Sequence, residues 1–108
     1  MTKIVINNKG GKQSKIQGKA TEIPPFALIE ISKVMSEGLK CYPREKDGTP
    51  NWHKIGCFSN LDHGLEHIFH FLTERNKPVR NLAIMQEELS HYAARALMAL
   101  EQFLRGNL

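Results

Sequence analysis

Two stretches of this chain concentrate side chains that move protons, bind metals or hold anions. His63, Glu66, His67, His70 and Glu74 recur at intervals of three and four, so on a helix they share one face. Glu87, Glu88, His91 and Arg95 repeat that spacing further on. With the two helices antiparallel, His67 and His70 face Glu87 and His91. Imidazole nitrogens and carboxylate oxygens together hold a divalent metal, which polarises a phosphoanhydride and activates water. Without a metal, imidazoles meet phosphate oxygens directly or carry protons near neutral pH. Any solvated helix surface shows the same mixture of Glu and His. Spacing alone leaves three readings open: a metal site, a metal-free ligand site and a plain exposed face. A His-Glu-x-x-His pattern is absent, because no second histidine lies one turn from His91.

Weaker constellations surround these two. Cys41, His53, Cys57 and His63 would make a tetrahedral zinc set, but their spacing is irregular and no Cys-x-x-Cys pair anchors it. A Cys57 nucleophile beside His53 lacks an orienting third group. Gly10-Gly11-Lys12 falls short of a phosphate-loop frame, although glycines beside lysines let backbone amides and ammonium groups approach one anion together. The net charge is +4, and Lys3, Lys9, Lys12, Lys15 and Lys19 all precede the first acid, Glu22. Such an arm attracts anions. It has no aromatic before Phe26, so a stacking platform for a nucleic-acid strand is not expected.

The elements that must position these groups follow from apolar periodicity. At 108 residues, 41% hydrophobic and 24% charged, the chain is expected to form one domain, with a basic arm over 1–22 and a helical core over 23–108. From Pro25, the residues Ala27, Leu28, Ile31, Val34 and Met35 mark a first helix over about 25–37, with Gly38 as its stop. Residues 39–58 hold Pro43, Gly48, Pro50 and Gly56 and read as a long loop, to which Trp52 lends order. Ser59 is an N-cap candidate for a second helix over about 60–74, with Leu61, Leu65, Ile68 and Leu72 as its buried stripe. A third helix is expected over about 81–104, with Leu82, Met85, Leu89, Ala93, Ala96, Leu100 and Phe103 on one face and Gly106 at its end. The 3–7 segment is a candidate strand without an evident partner. The expected fold is mainly α, a small three-helix array. Its last two helices form an antiparallel hairpin, and it carries a long ordered loop and an irregular basic N-terminal arm.

Only two cysteines, Cys41 and Cys57, favour a reducing compartment. With no apolar run long enough to cross a bilayer and no signal-peptide pattern at the N-terminus, the expected location is the cytoplasm, without a membrane partner.

Four segments, taken in order, are similar to the N-terminal domain family of phage dATP/dGTP diphosphohydrolases. They are Gly10-Gly11-Lys12-Gln13-Ser14-Lys15; Ile23-Pro24-Pro25 with Ala27-Leu28, running on to Gly38, Lys40 and Tyr42; Asn51-Trp52-His53-Lys54-Ile55; and the pair His63-Gly64-Leu65-Glu66-His67-Ile68 and His91-Tyr92-Ala93-Ala94-Arg95. The resemblance covers residues 10 to 104. It implies a phage or prophage origin and hydrolysis of a deoxynucleoside triphosphate to monophosphate and pyrophosphate. It also implies that Lys12 and Lys15 contact phosphate, that Asn51 and Trp52 order the loop or stack on a base, and that His67 and His91 line the site. The chain departs from the family pattern over residues 73–81, which are longer and net basic, and at Glu88, which stands where a histidine is expected. Both changes thin the supply of metal ligands.

Two functions and an outlier follow. As a binding protein, the chain sequesters a purine nucleotide, such as a signalling or cyclic nucleotide of host defence, without turnover and without a cofactor. Its ligand contacts are then Lys12, Lys15, Lys40, Tyr42, Asn51, Trp52, His63, His67, His70, His91 and Arg95. As a nucleoside triphosphate diphosphohydrolase, it uses Glu66, His67, Glu87 and His91 for catalysis, with His67, Glu87 and His91 on Mg2+ or Mn2+. The outlier is a protein-binding inhibitor in which Phe26, Phe69, Phe71 and Tyr92 partly form an interface. A homo-oligomer is expected under each, because three helices and a long loop make a thin core.

Overall fold

A proline at the first position of a helix costs no hydrogen bond, and Pro25 opens α1, Pro25–Cys41. The computed structural model describes residues 4–6, 8–14 and 18–108, with only the backbone of Val5, Gln13 and Ser14. Helix α1 passes through Gly38, whose φ is not positive, and ends three residues beyond that expected stop. Tyr42 still donates its N–H to the Gly38 carbonyl at 2.8 Å. The stop is set by Pro43, which pushes the residue before it out of the helical region; Tyr42 has φ −130° and ψ 81°.

Helix α2, Cys57–Arg75, begins ahead of Ser59, and no side chain caps it. Carbonyls from the other end of the chain take that role. The Cys57 N–H donates to the Asn107 carbonyl and the Phe58 N–H to the Leu108 carbonyl, both at 3.0 Å. Gly56 permits this approach, because a Cβ there would lie 2.8 Å from the Leu108 backbone.

Helix α3, Leu82–Leu104, is capped by its own neighbour: Asn81 Oδ1 accepts from the N–H groups of Ala83 at 3.1 Å and Ile84 at 3.2 Å. The Asn81 N–H in turn donates to the buried Glu74 carboxylate at 2.9 Å. Lys77 Nζ reaches that carboxylate at 2.7 Å. These two donors hold Glu74 below the usual carboxylate range, the Lys77 hydrogen bond first. At the far end Gly106 takes φ +77° and the Asn107 N–H closes back on the Gln102 carbonyl at 2.8 Å, a glycine-terminated helix end.

The architecture is the expected mainly helical array, in which α2 and α3 form an antiparallel hairpin and α1 leans on α3. The buried side of α2 is not its leucine stripe. Leu61 and Leu65 are half-exposed, and Asn60, Gly64 and Glu74 are buried instead. On α3 the expected face is likewise open at Leu82, Leu89, Leu100 and Phe103, while Ala94, Ala99 and Gln102 are buried. Small residues explain the choice, since they let the helices approach closely. A Cβ on Gly64 would sit only 3.3 Å from Arg95 Cβ.

The candidate strand of the arm does find a partner. Strand β1, Ile4–Ile6, pairs antiparallel with β2, Lys12–Ser14, in the register Ile4 to Ser14. Gly10 at φ +79° serves the turn between them. The loop between α1 and α2 is ordered. Arg44 bonds the Gly48 carbonyl at 2.7 Å, Lys54 pairs with Glu45, and Asn51–Lys54 forms a turn of 3-10 helix. No helix among the described residues is long and apolar enough to cross a membrane.

Candidate functional site

Buried amide side chains fix the walls of the site. Gln102, 1% exposed, donates from Nε2 to three carbonyls of the 3-10 segment: Trp52 at 3.0 Å, His53 at 2.9 Å and Ile55 at 2.8 Å. This ties the Trp52 loop to α3. Asn60, fully buried, donates from Nδ2 to the carbonyls of Ile55 and Gly56 at 3.2 and 3.1 Å. Its Oδ1 accepts from the Arg95 guanidinium at 3.1 Å. The loop, α2 and α3 are thus locked together around Arg95.

Between that loop, α1 and α3 lies a groove of about 540 Å³, within the range of small-ligand sites. Tyr42, Asn51, Trp52, His63, His91 and Arg95 line it, over an apolar floor that includes Val34, Met35 and Met98. Its one carboxylate, Glu37, is paired with Lys40 at 3.0 Å. The groove therefore offers a fixed guanidinium, two imidazoles and aromatic rings, a set suited to an anion joined to a planar base.

A shallower groove of about 320 Å³ continues along α1 and α3, sharing His91 and Glu37 and adding Glu30, Gln86 and Glu87. There Lys33 donates to Glu30 at 2.8 Å and holds its carboxyl below the ordinary range.

Next to the main groove the histidines cluster. His67 Nδ1 lies 2.8 Å from Glu88 Oε2, and His70 Nδ1 lies 3.6 Å from the other oxygen of the same carboxylate. The His67 and His91 rings are 4.9 Å apart, centroid to centroid. With Nδ1–H donating to Glu88, the neutral His67 ring keeps its lone pair on Nε2.

The structure thus gathers Tyr42, Asn51, Trp52, His63, His91 and Arg95 in one groove, and brings His67 and His70 together on Glu88. Glu87 does not face His67. Adjacent helix positions point about 100° apart, so Glu88 turns to α2 while Glu87 lines the shallow groove toward α1. Glu66 and Lys12 are exposed and line neither groove. Lys40 reaches the site only through Glu37, and Lys15 lies outside the described residues.

The metal set His67, Glu87 and His91 does not converge, and neither does the set Cys41, His53, Cys57 and His63. Among the described residues no group of three or more His, Cys, Asp or Glu side chains could hold a metal ion. Mg2+ and Mn2+ need several hard oxygen donors, and one Glu88 oxygen is already held by His67. The donors present do not fit such an ion. Asn60 and Gln102, which hold the site together, carried no sequence signal; a polar residue on a helix reads as surface until its carbonyl partners are known.

No curated protein and no solved structure matches the chain. A family model described as dATP/dGTP diphosphohydrolase, N-terminal, matches residues 7–108. With nearly its whole length matched, and with the Trp52 loop and His91-to-Arg95 segment meeting in one groove, the chain belongs to the dATP/dGTP diphosphohydrolase N-terminal domain family.

Proposed function

We propose that this domain binds a purine nucleotide in the groove between α1, α3 and the Trp52 loop, and holds it without turnover. The observation that carries this reading is Arg95, whose guanidinium is oriented by the buried Asn60 Oδ1 at 3.1 Å on a wall shared with His63 and His91. Phosphate oxygens meet Arg95 and the imidazoles, while Trp52 and Tyr42 give the base an aromatic surface. Sequestration, including that of a signalling or cyclic nucleotide, needs affinity and no metal.

Isothermal titration with dGTP, dATP, GTP, ATP and cyclic purine nucleotides tests the reading. At least one should bind. Arg95→Ala should then weaken binding about 10- to 150-fold, the equivalent of roughly 1.5–3 kcal/mol for a charged hydrogen bond. Absence of heat from every nucleotide removes the proposal.

A second reading, hydrolysis to monophosphate and pyrophosphate, draws on the family and on the His67–Glu88 pair at 2.8 Å. In it Glu88 orients His67, and Nε2 accepts a proton from water. Pyrophosphate release from dGTP or dATP, with Mg2+ or Mn2+ and across pH, distinguishes turnover from capture.

A further inference from the structure

Among the described residues, the apolar ones that are fully buried are Cys57, Ala94 and Ala99, together with Pro50. None of these is a large aliphatic or aromatic side chain. The large side chains lie elsewhere. On α2, Phe58, Leu61, Leu65 and Phe69 follow one another at three and four positions, and on α3 Leu89, Leu100 and Phe103 do the same around Ala93 and Ala96. The three phenylalanines are 58–60% exposed and the four leucines 43–57%. At about 100° per residue, the α2 stripe lies roughly a third to just under half a turn from Ser59 and His63. The α3 stripe lies similarly far from Ala94 and Glu87, which face α1 and the grooves. Both stripes therefore sit on the side of the hairpin turned away from α1 and the nucleotide groove. They form one continuous apolar face.

We infer that this face is covered by a second copy of the chain, whose own α2–α3 hairpin packs against it to complete a four-helix bundle. Three lines of reasoning select that occupant. Seven large side chains about half-exposed amount to roughly 700 Å² of apolar surface, above what a monomer ordinarily leaves bare and close to the roughly 800 Å² per partner of a stable complex. No large aliphatic or aromatic side chain among the described residues is fully buried, so the hairpin has little core of its own and association with another copy supplies burial that it lacks. The stripe residues carry no charge, so two copies meet there without repulsion despite the net charge of +4. A two-fold arrangement lets α2 of each copy meet α3 of the other, with Ala93 and Ala96 admitting close approach. The molecule measures 24 Å along its shortest axis, about two helix layers, and pairing gives the hairpin a second apolar side. This inference is independent of what the groove binds.

Sedimentation velocity on the full chain across a wide dilution series tests it, alongside thermal unfolding at the same concentrations. The expected results are a species of twice the chain mass and an unfolding midpoint that rises with concentration, as for any protein stabilised by its own association. Leu65→Lys with Leu100→Lys should abolish the dimer and the concentration dependence. Leu65→Gln, a milder change, should shift the dimer to higher concentration while helicity is kept. A wild-type monomer at every concentration overturns the inference. So does a dimer that survives both variants, which would place the interface elsewhere. Copurification in a one-to-one complex with a different protein, in place of self-association, overturns it as well.

Discussion

Replacing Gln102 by leucine removes hydrogen bonds while nearly conserving volume, so its effect isolates what the buried amide contributes. Nε2 has two hydrogens and three acceptors within 3.0 Å, the carbonyls of Trp52, His53 and Ile55. If all three were orphaned, the loss would be severe. Each keeps a second partner, however: the Ile55 N–H on the Trp52 carbonyl, Asn107 Nδ2 on that of His53 and Asn60 Nδ2 on that of Ile55. The cost is therefore that of two net hydrogen bonds, about 2 kcal/mol, which in a domain near this size lowers the melting temperature by roughly 8–16 °C.

Trp52 is the chain's one tryptophan, so its fluorescence reports the loop while far-UV circular dichroism reports the helices. The expected outcome for Gln102→Leu is a Trp52 signal that changes below the helical transition, with weakened nucleotide binding, because Asn51 and Trp52 line the groove. Gln102→Glu separates polarity from packing. At neutral pH it aims a carboxylate at three carbonyls and should be less stable than the leucine variant. The introduced carboxyl has its pKa pushed up there, so the variant should recover as pH falls and the group becomes a donor. A Gln102→Leu midpoint within about 2 °C of wild type, or a glutamate variant equal to the leucine variant at neutral pH, would refute the assignment.

Three further changes probe the frame. Gly56→Ala places a Cβ 2.8 Å from the Leu108 backbone; it should release the 107–108 segment and cost about 1–2 kcal/mol, with faster amide exchange at Cys57 and Phe58. Asn81→Ala removes the cap of α3 and should cost about 0.5–2 kcal/mol by denaturant titration, with no change in nucleotide affinity. Glu74 has its carboxyl held below the ordinary value of 4.5, first by Lys77 and then by the Asn81 N–H. Its stabilisation is thus present above the unfolded-state value and lost as pH falls through the lowered folded-state value. Glu74→Gln should be less stable than wild type at neutral pH, and melting curves taken down to acid pH should converge.

Helix number, order and approximate bounds were legible in the sequence, because long periodic segments report themselves and Pro25 and Gly106 act locally. Bounds set by distant partners were not. Ser59 has the chemistry of an N-cap, yet the carbonyls of residues 107 and 108 cap α2 before it. The apolar stripes were located on the helices, but Leu61, Leu65, Leu89, Leu100 and Phe103 lie open where burial was expected. Periodicity identifies an apolar face but not the neighbour it meets, and Gly64, Ala94 and Ala99 had the stronger claim on the closest contact.

The candidate site was legible where family motifs and spacing coincided, at Trp52, His63, His91 and Arg95. It was obscure where a single helix step decides the direction, as between Glu87 and Glu88. What the sequence concealed is the polar seam. Among the described residues no buried side-chain nitrogen or oxygen lacks a partner, so Asn60, Glu74 and Gln102 each stabilise one arrangement of α2, α3 and the Trp52 loop. Sliding the hairpin by one turn would leave these groups unsatisfied at once. An apolar seam would tolerate such a shift more readily. The seam's polarity thus fixes the register that puts Arg95 beside His63 and Trp52, and the apolar faces, displaced outward, remain available to bury area against another copy.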